Sequence, residues 1–136
     1  MQFTAKNQNT GILLIRITIS LLMLFHGVNK LDAEVGGIVG LLVLKGMPGS
    51  LAYGAIMGEI IAPMMILIGF RTRLAAVIYA VNCLAAILLA HCSDLVSVNE
   101  YGGWAAELLG LYLFSAIALY FTGSGKYAVS TSSVWD

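Results

Sequence analysis

The chain has 136 residues, of which 60% are hydrophobic and 10% charged, against roughly a quarter charged in an ordinary soluble domain. That composition excludes a water-soluble globule. The seven basic and seven acidic residues cancel, which excludes a polyanionic partner such as nucleic acid.

The first apolar segment follows Lys6 and has the look of a secretory leader, but it contains Arg16 and ends in His26-Gly27-Val28-Asn29-Lys30 without a small-residue cleavage pattern. It therefore reads as a retained helix. Four stretches, residues 11–28, 51–69, 73–91 and 104–122, have about the 20 apolar residues needed to cross the hydrocarbon layer. Lipid offers the backbone no hydrogen-bond partners, so each must be helical. The expected fold is an all-α integral membrane four-helix bundle in one transmembrane domain, residues 1–136. Between the first two spans, the glycine-rich run 35–44 is about half a crossing long and reads as an interfacial or re-entrant segment. Gly46-Met47-Pro48-Gly49-Ser50 then supplies a turn.

Four crossings place both ends of the chain on one side, with the 70–72 turn. That side carries Lys6, Arg71 and Lys126, with Arg16 and Arg73 close by, whereas the other has only Lys30 and Lys45. The positive-inside rule puts both termini in the cytoplasm. The cysteines, Cys83 and Cys92, fall in or beside the third span, roughly 13 Å apart along a helix and beyond disulfide reach. Cys83 reads as a packing thiol and Cys92 as a more accessible one.

Counting 1.5 Å per residue from the cytoplasmic end of each span ranks the polar residues by depth. Arg16 falls at roughly 8 Å, Glu59 and Asn82 near 15 Å, His26 and Glu107 near 22 Å, and His91 at roughly 27 Å. The count gives a middle level of Glu59 and Asn82 with Arg16 within reach below, and an outer level of His26 and Glu107 with His91 above. Charges at such depth are costly and face the bundle interior or a wet cavity. Glu59 has two readings: a buried acid paired with Arg16 or held neutral, serving only to hold helices together, or a carboxylate that carries protons or binds a ligand. Glu59, His26 and Glu107 are the candidate proton-handling residues, and Arg16, Asn82 and His91 the candidate ligand-binding residues. No local histidine–carboxylate spacing marks a metal site. Gly54 and Gly58 form a G-x-x-x-G on the second span, and Pro63 removes the backbone donor that would serve the carbonyl of Glu59.

Several local patterns carry a resemblance: Leu14-Ile15-Arg16, Phe25-His26-Gly27-Val28-Asn29-Lys30-Leu31, Gly46-Met47-Pro48, Glu59, Gly69-Phe70-Arg71-Thr72-Arg73-Leu74-Ala75-Ala76 and Gly123-Ser124-Gly125-Lys126-Tyr127. Together they resemble the DoxX family of small four-helix bacterial membrane proteins over nearly the whole chain. The chain departs from the common family tail in having Ser124 where a proline stands and Ser130 where an aspartate stands. The resemblance implies a place in the bacterial inner membrane and redox work, members being similar to the small subunit of quinone-linked oxidoreductases.

The chain has no nucleotide, flavin, thiolate-cluster or haem motif of its own, so no cofactor is intrinsic, and a bound quinone or a redox partner subunit must supply the carrier. The leading expectation is a membrane subunit that binds a quinone or similar apolar redox ligand between its helices, with a buried glutamate handling protons. A small proton-coupled exporter and a structural or assembly subunit without chemistry are the alternatives. A homo-oligomer is compatible with all three.

Overall fold

The computed structural model describes residues 2–33 and 35–136, with side chains described for residues 7–29 and 36–136. Lys6, Lys30, Asp32 and Glu34, which enter the charge count, lie outside the described side chains. Helix 1 runs Gln2–Ala33, a linking helix Val35–Leu44, helix 3 Thr72–Ala90 and helix 4 Glu107–Thr122. Helix 2 is the continuous rod Gly49–Ile68, which opens as a 3₁₀ turn over Gly49–Ala52 and widens to a π turn over Met57–Ile61. The chain is an all-helical membrane bundle, with no named strand among the described residues.

Two elements differ from the hydropathy pattern. Helix 1 does not begin at residue 11; its 32 residues make a rod of about 48 Å, well beyond a hydrocarbon layer of about 30 Å. Helix 4 starts at Glu107 rather than residue 104. Asn99 takes the preceding residues into a turn, its Oδ1 accepting from the N–H groups of Tyr101 (3.0 Å) and Gly103 (2.9 Å). Val98 and Trp104 are then bridged as neighbours.

Helices 1, 2 and 3 are long and apolar enough to cross a membrane, and helix 4 is a shorter apolar helix. All four feed one core: Ile19 and Met23, Ala62 and Ile66, Ala76, Tyr79 and Cys83, and Tyr112, Ala116 and Leu119. Lipid tails are as apolar as leucine, so close packing rather than water exclusion draws such helices together. Small residues make that possible. A Cβ at Gly58 would run into the Asn82 side chain, and one at Gly110 would run into the Trp104 ring. Tyr79 and Tyr112 meet edge to face at 6.1 Å, and Tyr79 donates to the carbonyl of Ile19 (3.2 Å). Leu22, Phe25, Val81, Leu88, Leu111, Phe114 and Phe121 point outward, the surface expected of helices that meet lipid on their far sides.

At one end of the bundle, here the tail end, residues 123–136 close over the turn between helices 2 and 3. Helix 2 stops in a Schellman motif: Gly69 is left-handed (φ 75°), Phe70 N–H reaches Met65 O (2.9 Å) and Gly69 N–H reaches Ile66 O (3.1 Å). The remaining carbonyls find other donors. Arg16 Nε donates to Ile66 O (2.8 Å) and its Nη2 to Leu67 O (3.0 Å), while Val129 N–H donates to Ile68 O (3.1 Å). Every carbonyl of the last turn is thereby satisfied, and the cation sits at the helix end whose dipole favours it.

The same tail serves the start of helix 3. Arg73 N–H donates to Trp135 O (2.9 Å), and Arg71 N–H donates to Asp136 Oδ1 (3.2 Å). Asp136 Oδ2 accepts from Ser130 Oγ (2.8 Å) and Ser133 N–H (2.6 Å). Burial alone would raise the Asp136 pKa, but the bonds from Ser130, Ser133 and Arg71 outweigh it and hold the carboxyl below its ordinary range. The serine at position 130, in place of the resembled family's aspartate, thus holds an acid supplied six residues later. Lys126 N–H reaches Asn9 Oδ1 on helix 1 (2.7 Å), so helix 1 joins the closure.

Candidate functional site

At the opposite end, here the loop end, residues 91–106 roof a cavity of about 230 Å³ between the helices. Its polar wall is formed by His26 from helix 1, Glu59 from helix 2, Asn82 and Tyr112 from helices 3 and 4, and His91 and Asp94 from the helix 3 terminus and the roof. Met23, Ala86, Ala105, Ala106, Leu108 and Leu109 complete it with apolar surface. An apolar pocket with a few convergent polar groups is the usual form of a small-ligand site.

Glu59 reaches this wall through a local irregularity. The π turn has Ala62 N–H bonded to Met57 O, five residues back, and Pro63 has no N–H to offer the carbonyl of Glu59. Such π turns inside helices occur often at functional sites. The neighbouring helices press on the same point. A Cβ at Gly27 would lie 2.6 Å from the Glu59 carbonyl oxygen, and Gly58 is flush with Asn82. Glu59, 5% exposed, is therefore held between helices 1 and 3 with its neighbours fixed by two glycines.

The close approach of Gly27 to Glu59 sets the helix register and corrects the depth count. His26 and Glu59 share a level, although counting from residue 11 separates them by roughly 7 Å. The count takes residue 11 as level with Gly69, whereas the Gly27 contact places residue 11 beyond that end of helix 2, on the part of helix 1 that runs on to Gln2. His26, Glu59, Asn82 and His91 thus line one cavity rather than two levels.

Two expected participants are absent from it. Arg16 is 1% exposed, but its guanidinium is committed to four backbone carbonyls: those of Ile66 and Leu67, and through Nη1 those of Ser124 (2.8 Å) and Tyr127 (2.7 Å). Those bonds fix it seven residues beyond Glu59, about 10 Å along helix 2, so the expected approach of Arg16 to Glu59 is replaced by a structural lock. Glu107 is the first residue of helix 4 and exposed. A Cβ at Gly103 would meet its Oε2 at 2.7 Å, so the carboxylate turns back toward its own loop, where a helix start favours an anion. The expected His26–Glu107 pair therefore gives way to a cavity shared by His26 and Glu59.

Asp94 and Tyr112 are wall residues that the sequence does not single out. Asp94 had a readable signal, its i,i+3 spacing from His91, which brings side chains together on one helical turn. Tyr112 had none beyond its place on an apolar span. Of the cysteines, Cys83 is buried and Cys92 exposed.

A bundle of apolar helices around a polar-walled cavity, sealed at one end by its own tail, defines a class of small membrane protein with an internal cavity. The DoxX family model matches residues 11–92, more than half of the chain, and the protein belongs to the DoxX family. A relative from Bacillus subtilis (strain 168), described as "Putative oxidoreductase CatD", is 27% identical over 119 residues, covering 88% of this chain and 84% of the relative. No solved structure gives a significant match.

Proposed function

We propose that the protein is the membrane subunit of a redox system and holds the head group of a quinone, or a similar apolar redox ligand, in the loop-end cavity. The observation that carries this reading is the convergence of His26, Glu59, Asn82 and Tyr112 from all four spans on one cavity of about 230 Å³. A cavity of about 150 Å³ accommodates benzene, so this one has room for a substituted single ring. Glu59 and His26 are the groups that exchange protons with the ring oxygens, and Asn82 supplies amide hydrogen bonds that orient them. The name of the Bacillus subtilis relative agrees with oxidoreductase work. Quinone supplies the redox chemistry when bound, and a partner subunit supplies the electrons.

By the positive-inside rule the tail end, with Arg16, Arg71, Arg73 and Lys126, faces the cytoplasm and the cavity opens in the outer half of the bacterial inner membrane. Exposed Cys92 is a ready reporter: a membrane-impermeant maleimide labels it in intact cells under this orientation. Labelling only after permeabilisation reverses the orientation.

The ligand reading is tested on detergent-purified protein. Organic extraction recovers stoichiometric quinone, or added duroquinone quenches tryptophan fluorescence saturably. In Glu59→Gln and His26→Gln, the dependence of that binding on pH between about 5 and 8 changes. Absence of both extracted and bound quinone ends the proposal.

A further inference from the structure

Two wall residues of the cavity are left without a role by this reading. His91 ends helix 3, and Asp94 lies in the single 3₁₀ turn Cys92–Val96 that follows. Asp94 N–H bonds to His91 O (3.0 Å), and its Oδ2 lies 2.7 Å from His91 Nδ1. Ser93 Oγ donates to Asp94 Oδ1 (3.3 Å). The backbone turn thus brings carboxylate and imidazole together, and the serine holds the carboxylate. With Nδ1 engaged by Asp94, Nε2 is the ring nitrogen left for exchange.

Exposure separates this pair from Glu59, although His26 on helix 1 is exposed as well. The side chains of His91 and Asp94 are 48% and 33% exposed, whereas Glu59 is 5% exposed. His91 therefore meets both the medium around the loop and the cavity, and Glu59 is shut inside. A solvent-exposed i,i+3 histidine–carboxylate contact contributes little to stability even when the ring is charged, so fold stability does not account for the arrangement. The cavity between the two residues is polar-walled and has room for several waters.

We propose that His91, oriented by Asp94, is the proton port of the cavity: it exchanges protons between the medium on the loop side and Glu59. Nε2 accepts a proton from water, Asp94 offsets the charge of the imidazolium, and the same proton passes through cavity water to the Glu59 carboxylate, which restores the neutral ring. No electron moves and no bond other than those to the proton changes. The titratable and polar groups that face the pair across the cavity are His26 on helix 1, Glu59 on helix 2, Asn82 on helix 3 and Tyr112 on helix 4. Glu107 at the start of helix 4 does not line the cavity. The port rests on the reading of Glu59 as a proton-carrying group, and its test needs no quinone.

The full chain in lipid nanodiscs is followed by infrared spectroscopy after a pH jump, using the carboxyl band that disappears in Glu59→Gln. His91→Gln slows protonation of Glu59 by about tenfold or more, and imidazole added to the medium restores the rate. Rescue on the same sample separates a lost proton group from a lost fold. Asp94→Asn slows the reaction less and moves the pH at which it is half as fast, and His26→Gln, which removes the other exposed imidazole of the wall, slows it less than His91→Gln does. Equal rates in wild type and His91→Gln, slowing confined to His26→Gln, or no titrating Glu59 band between about pH 4 and 9 overturns the port. Duroquinone binding measured on the same samples distinguishes the two proposals: a failed port with intact binding leaves the quinone site standing. Slowed exchange without binding leaves the port standing.

Discussion

The two ends of the bundle treat buried polarity in opposite ways. At the tail end, a cation of 1% exposure spends its guanidinium on four backbone carbonyls, and the tail covers the helix ends around it. At the loop end, carboxylate, imidazole, amide and phenol side chains surround space. Burial of an ionisable residue in a membrane span therefore does not by itself mark chemistry. Arg16 and Glu59 both stand out in the sequence, but one is saturated with backbone bonds and the other faces a cavity.

Removing the cation is the severest way to break that contrast. Arg16→Ala strips donors from Ile66, Leu67, Ser124 and Tyr127 together, and should cost about 3–5 kcal/mol given the strength of charged hydrogen bonds and the desolvated carbonyls left behind. Arg16→Lys keeps the charge without the planar fork and should lose about half as much. Reversible unfolding in mixed micelles measures both. Because Arg16 is bonded about 10 Å along the helix from Glu59, the loss in Arg16→Ala combined with Glu59→Gln should equal the sum of the single losses within about 0.5 kcal/mol. A clearly smaller loss in the double variant would join the two ends that the structure separates.

The glycine pair of helix 2 sharpens the contrast further. Gly58→Ala drives a methyl into Asn82 and should cost about 1–3 kcal/mol, as overpacking does, with Glu59 displaced from the cavity wall. Gly54 has nothing within 4 Å of its Cβ position, so Gly54→Ala should be neutral or stabilising by up to about 1 kcal/mol through helix propensity. Equal effects would mean that the G-x-x-x-G acts as a unit.

The smallest effect is expected at Asp136. Its carboxyl is held below the ordinary range by Ser130, Ser133 and Arg71, so its contribution to the closed tail is fully present above the unfolded carboxylate pKa. It is lost as the pH falls toward the lower folded value. Limited proteolysis of residues 123–136 should accelerate on acidification in the wild type. Asp136→Asn should show that faster cleavage at neutral pH and no further change on acidification.

Much of this architecture was legible in the sequence because hydropathy alone marks segments that lipid forces into helices. The spans, the short linking element after helix 1 and the presence of Glu59 and Asn82 at one place were readable in that way. The role of Arg16 was not, because its partners are backbone carbonyls, which no side chain announces. The His26–Glu59 neighbourhood was hidden because helix 1 is shifted along helix 2, so that the start of its apolar run lies beyond the Gly69 end and not level with it. Glu107 was misplaced because the Asn99 turn takes residues 104–106 out of helix 4.

The central claim, that the loop-end cavity is the ligand site, is tested most directly by filling it. Ala86 lines the cavity from helix 3, and in a Trp135→Phe background Trp104, beside the wall residues Ala105 and Ala106, is the remaining fluorophore. Duroquinone should quench Trp104 saturably in that protein. Adding Ala86→Phe should abolish the saturable component while the protein elutes and unfolds as before. Undiminished quenching in the filled variant would contradict the account and place the ligand elsewhere.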